Sequence, residues 1–160
     1  MAKNKGKQKR SLEPNLFMAR LAEQSERYTD MFEYLSEALI ARQDPAHFTQ
    51  EERNMLSVAF KNLISPKRST WRHIMASKES SDSNEAVRAY KEYVEKKLHS
   101  ICLQIVNLVQ NHVLPAIEAH IKKHMLQFDE IYAEERAFFY KIVGDYYRYA
   151  SEATTQTSPE

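Results

Sequence analysis

Two glycines, Gly6 and Gly144, and five prolines are nearly all the turn-forming material in this chain of 160 residues. Strands need frequent reversals that draw on glycine and proline, so the economical fold is all-α, with helices joined by short loops. The length allows one domain with a sizeable core. Hydrophobic residues at 42% and charged residues at 28% are ordinary for a folded protein.

Charge is unevenly placed. The formal net charge is +1, yet Lys3, Lys5, Lys7, Lys9 and Arg10 put five positive charges into the first ten residues, which leaves −4 on the rest. Residues 1–13 therefore read as a basic, unstructured, solubilising tail. Contact of that tail with nucleic acid is the weaker reading. No apolar stretch follows it, so a signal peptide and a lipid-embedded anchor are not expected. Nor does any run approach the about 20 apolar residues that span a bilayer. Cys102 is the single cysteine, so no intramolecular disulfide forms. Its apolar helical surroundings suit a buried thiol better than a nucleophile, and a reducing compartment, cytosol or nucleus, fits it best.

Residues 14–153 carry the helical pattern, and the polar stretch 154–160 reads as a frayed tail. Pro14 opens a first helix bearing Leu16, Met18, Leu21 and Ala22. Met31, Phe32, Leu35, Ala38 and Leu39 mark a second, closed by Asp44-Pro45. Thr49-Gln-Glu-Glu52 is a capping box for a third, in which Met55, Leu56, Ala59, Phe60, Leu63 and Ile64 form the apolar face. After a polar loop around 78–84, with Asn84 placed to cap, a fourth helix runs from Ala86 and ends near Leu114-Pro115. Residues 116–128 alternate apolar and basic groups, consistent with a helical extension or an extra helix. The last helix covers roughly 130–152.

Catalytic signatures are missing from the sequence: no glycine-rich phosphate loop, no His-Glu-x-x-His, no Gly-x-Ser-x-Gly, no Cys-x-x-Cys. A non-enzymatic protein without a cofactor is expected. His120 and His124 have the spacing of two ligands on one helix face, but Lys122 and Lys123 beside them repel a cation, so no metal site is expected.

Basic residues are patterned more tightly. Lys61 and Arg68 stand seven apart, about 20° short of two full turns and about 10.5 Å apart along one face. Arg72 extends the same side by one turn. Lys141 and Arg148 repeat the interval on the last helix, with Tyr149 alongside. Should the two faces meet, several charge-assisted donors converge on one pocket of a kind that suits a phosphate dianion. Ion pairs with Glu and Asp on neighbouring faces are the alternative. Periodicity does not decide between them.

Glu51-Glu-Arg-Asn-Met-Leu-Ser-Val-Ala-Phe-Lys-Asn62, Lys67-Arg-Ser-Thr-Trp-Arg72 and Gly144-Asp-Tyr-Tyr-Arg-Tyr149 resemble, in order, signature stretches of the 14-3-3 family. Leu21-Ala-Glu-Gln-Ser-Glu-Arg-Tyr28 resembles the end of that family's first helix. The resemblance implies an antiparallel bundle of five or six helices, like the N-terminal part of a nine-helix fold. It also implies a non-catalytic adaptor that binds phosphoserine or phosphothreonine segments of client proteins. Lys61, Arg68, Arg148 and Tyr149 match the phosphate clamp, and Lys141 matches a further groove residue. Without the later helices the implied groove is half complete. Residues around 116–128 are an insertion relative to the family. Homodimers, or heterodimers with other family chains, are implied through Leu21, Arg27, Tyr28, Asp30, Tyr90, Tyr93 and Lys97. Two of these depart from the pattern: Lys97 stands where an acidic partner for Arg27 is usual, and Tyr93 where a basic partner for Asp30 is usual. Pairing with a complete family chain, with no phosphopeptide held, is the alternative function.

Overall fold

Where a helix begins is decided by what satisfies its first backbone N–H groups, and the sequence supplies those groups at three starts. Thr49 Oγ1 accepts the Glu52 N–H at 3.2 Å while Glu52 Oε2 accepts the Thr49 N–H at 2.8 Å. Asn84 Oδ1 accepts from Ala86 N–H at 3.0 Å, and Asp129 Oδ1 from Ile131 N–H at 2.9 Å. The computed structural model describes residues 3–42, 48–77, 84–126 and 129–153, with side chains from Pro14 onward. Asp44-Pro45, the polar loop over 78–83 and the tail 154–160 lie outside the described residues.

All regular structure among the described residues is helical: α1 Lys3–Gln24, α2 Tyr28–Ala41, α3 Gln50–Ala76, α4 Glu85–Leu108, α5 Leu114–His124 and α6 Glu130–Glu152. Two boundaries differ from expectation. The helix expected to open at Pro14 reaches back to Lys3, so the segment expected to be unstructured has helical backbone, and Pro14 lies inside α1. Lysine, arginine and glutamine are good helix formers and continue a helix already nucleated by its apolar half. The fourth helix does not stop at Leu114-Pro115. A π-helical stretch, Val109–Val113, carries it into α5, with the Leu114 N–H bonded to the Val109 carbonyl. This wider turn precedes Pro115, which then sits in the first turn of α5 where a missing N–H is tolerated. Pro66, by contrast, lies in the interior of α3, and the helix continues through it from Gln50 to Ala76.

Scarcity of glycine shows at the turns. Glu26 and Met125 take the left-handed conformation, at φ 54° and 55°, which costs a residue with a side chain about 1 kcal/mol or more.

Side-chain contacts give the directions of packing. Phe32 meets Phe60 and Arg42 pairs with Glu52, so α2 and α3 run antiparallel. Gln110 meets Tyr147 and His120 meets Tyr132, so the α4–α5 rod runs antiparallel to α6. Arg53 meets Glu134, Phe60 meets Tyr146 and Arg68 meets Glu152, which sets α3 and α6 parallel. The rod from Glu85 to His124 is long and apolar enough to cross a membrane by length and composition. Its apolar side, however, is spent inside the protein: Leu98, Cys102, Ile105, Val106 and Val109 are fully buried. α5 adds to the core, with Ile117 and Ile121 buried and Glu118 ion-paired with Arg136 of α6 at 2.8 Å.

Candidate functional site

The parallel arrangement of α3 and α6 brings their basic faces together. Lys61, Arg68, Lys141 and Tyr149 line one cavity of about 340 Å³, with Ser57, Ser65 and Asp145 also on its wall and Phe60 and Tyr146 at its floor. Phe60 and Tyr146 meet edge to face with centroids 5.9 Å apart, a direct contact between two helices that both pack on α4.

Arg68 is held from two directions. Its guanidinium lies 3.9 Å from the centroid of the Tyr149 ring, and it donates to Glu152 from Nε at 3.1 Å and from Nη2 at 2.8 and 2.9 Å. Arg148 lies 4.6 Å from the same ring. Its bonds are longer, Nη1 to Glu152 Oε1 at 3.5 Å and Nη2 to Asp145 Oδ1 at 3.4 Å. Arg68 and Arg148 therefore reach the same carboxylate oxygen. Arg72 approaches Glu152 at 4.0 Å and is mostly exposed. Lys141 bonds Asp145 at 2.6 Å, and this bond holds the Asp145 carboxyl below the usual carboxylate range, against a smaller opposing effect of burial. Lys61 is exposed and has no hydrogen-bond or ion-pair partner among the described residues.

The convergence of cations and the ion-pair alternative are thus both present. Five cations, Lys61, Arg68, Arg72, Lys141 and Arg148, face two carboxylates, Asp145 and Glu152. Those two acids are the residues the motif reading missed. The signal was available, since Asp145 follows Lys141 by four and precedes Arg148 by three, and Glu152 follows Arg148 by four. The guanidinium groups of Arg68 and Arg148 also lie over the Tyr149 ring.

Cys102 lies under this site on α4, fully buried. Burial pushes its thiol up to about 12, which leaves it protonated and unreactive. The His120 and His124 rings lie 4.5 Å apart, with Tyr132 hydroxyl 3.1 Å from His120 Nε2. Among the described residues no group of three His, Cys, Asp or Glu side chains could hold a metal ion.

The residues singled out for dimer formation fall apart into separate features. Arg27 and Asp30 pair with each other within the chain. Tyr28 packs half-buried against the core, while Leu21, Tyr90 and Tyr93 are exposed. Tyr90 and Tyr93 stack at 6.4 Å between centroids, and Lys97 Nζ lies 5.8 Å from the Tyr93 ring.

A helical bundle with a cationic cavity between two parallel helices is the class of protein this geometry defines. The model of the 14-3-3 protein family matches residues 18–160, and the chain belongs to that family. It is 38% identical over 151 residues to a 14-3-3-like protein of Solanum tuberosum, covering 91% of this chain and 52% of that one. It is 39% identical over 146 residues to 14-3-3-like protein A of Hordeum vulgare, covering 88% and 50%. With 14-3-3 protein epsilon of Drosophila melanogaster it shares 37% identity over 150 residues, covering 89% and 51%. The chain therefore spans about half the length of the curated relatives it matches.

Proposed function

We propose that this protein is a non-enzymatic adaptor that holds phosphoserine or phosphothreonine segments of client proteins in the cavity between α3 and α6. The observation that carries the reading is the shared oxygen: Arg68 and Arg148, from different helices, both reach Glu152 Oε1, at 2.9 and 3.5 Å. Two guanidinium groups that meet on one carboxylate oxygen are close enough to meet on one phosphate. Lys61, Lys141 and Tyr149 line the cavity that Arg68 also lines. Five cations against two carboxylates leave an excess of three positive charges, which a dianion reduces to one. Charge-assisted bonds from a planar guanidinium favour a tetrahedral oxyanion over a neutral hydroxyl.

The phosphate is the part of a client that these residues recognise. The test compares a phosphoserine peptide with its unphosphorylated twin by calorimetry. Measurable binding of the first alone supports the reading, and equal binding of both rejects it.

A second reading is favoured by the exposed Leu21, Tyr90 and Tyr93: the chain pairs with a complete 14-3-3 chain. Lys97 stands where an acidic partner for Arg27 is usual, which disfavours self-pairing through this contact. Light scattering should give a monomer for the protein alone and a heterodimer after mixing with a full-length relative. A homodimer at micromolar concentration counts against this reading.

A further inference from the structure

Glu152 occupies the last residue of α6, where the helix dipole disfavours a carboxylate. It nevertheless gathers Arg68, Arg72 and Arg148 around it. An acid placed against local electrostatic preference, in the middle of a cationic site, has either of two effects on an incoming anion. It competes for the arginines, or it holds one of them ready.

The edge of the guanidinium that is used separates the two. Glu152 takes Arg68 by Nε and Nη2, the side edge of the group. Arg68 Nη1 makes no hydrogen bond among the described residues. The Cζ of the same guanidinium lies over the Tyr149 ring, 3.9 Å from its centroid. The carboxylate and the ring together fix the group and leave the Nη1 end uncommitted, and Arg68 shares a cavity wall with Lys61 and Lys141. Arg148 is held more loosely, by two longer bonds split between two carboxylates and by the Tyr149 ring at 4.6 Å.

We propose that Glu152 is the positioning residue of the site: it holds Arg68 by the side edge so that the Nη1 end meets the phosphate, while Arg148 is released from its weaker bonds to close on the ligand. This rests on the phosphate-binding reading above. Preorganisation is the physical gain, because an arginine fixed beforehand does not lose its rotamer freedom when the ligand arrives. The prediction runs opposite to the electrostatic intuition that removing a nearby negative charge strengthens anion binding.

The experiment is a double-mutant cycle with a phosphoserine peptide, using Glu152→Gln, Arg68→Lys and the pair together. Glu152→Gln is expected to weaken binding about tenfold, the scale of one lost orienting bond to a charged group. Glu152→Asp, which keeps the carboxylate on a shorter arm, recovers part of that loss. In the Arg68→Lys background, where no side edge exists to hold, Glu152→Gln should cost nothing further. Tighter binding by Glu152→Gln, or losses that simply multiply in the double variant, overturns the proposal. A wild-type protein that ignores the phosphopeptide counts against the phosphate reading itself. The Arg68 Nε–H resonance of the unliganded protein then judges Glu152 separately: an ordered signal that becomes mobile in Glu152→Gln upholds the positioning, and an unchanged one overturns it.

Discussion

Replacing Lys61 with glutamate is expected to lower affinity for a phosphoserine peptide about 100-fold while leaving the melting temperature where it is. A charge-assisted bond to phosphate contributes about 1.5–3 kcal/mol, and a carboxylate in its place adds repulsion. Each 1.4 kcal/mol is about tenfold in affinity, so two decades follow. The fold should not notice the change, because Lys61 is exposed and unpaired among the described residues. This separation makes Lys61 a cleaner probe than Arg68, whose removal would also break its 2.8 Å ion pair with Glu152. Calorimetry beside thermal denaturation checks both halves. Loss of binding with a matching fall in melting temperature would mean that Lys61 supports the fold and not the site.

The largest effect on stability is expected from Phe139→Ala. Phe139 is fully buried, with its ring centroid 4.9 Å from Phe48 and 5.0 Å from Phe138, both edge to face. Truncating such a side chain costs about 3–5 kcal/mol, a large part of a total that is usually about 5–15 kcal/mol. For a chain of this length the melting temperature should fall by roughly 10 °C. The damage spreads because Phe48 is pinned twice, by the Phe139 ring and by its own N–H to the buried Glu135 carboxylate. Without the ring, the approach to α3 loses one of its two anchors on α6. The neighbouring Tyr140→Ala, at an exposed position on the same helix, should stay within about 0.5 kcal/mol. Denaturant titration of the pair gives the comparison. A similar, small loss at both positions would show that the Phe48–Phe139 contact contributes little.

Much of the helical plan was legible because its signals are local. The Thr49–Glu52 capping box, the Asn84 cap and the apolar period of α6 all act within a few residues of themselves. Where local signals conflict, the sequence left alternatives open. Beyond Pro115 it allowed a helical extension or an extra helix; a π-helical turn ahead of the proline carries the rod on to His124, and the core contacts of Ile117 and Ile121 favour that outcome. Pro14 looked like a start, yet α1 extends to Lys3.

For the site, sequence by itself determined two basic faces, each set by a seven-residue interval on a helix, and the signature stretches that point to the family. It also held the acids that balance those faces, since Asp145 and Glu152 follow the same helical spacing. Whether the faces meet was a matter for the tertiary structure alone. Arg68 and Arg148 are eighty residues apart in the chain, and no helical period reaches across that distance. Their meeting depends on α3 and α6 lying parallel, each packed against α4, with Phe60 meeting Tyr146 and Arg68 bonded to Glu152 between them. Periodicity reports which side of a helix a residue occupies, and only packing decides what that side faces.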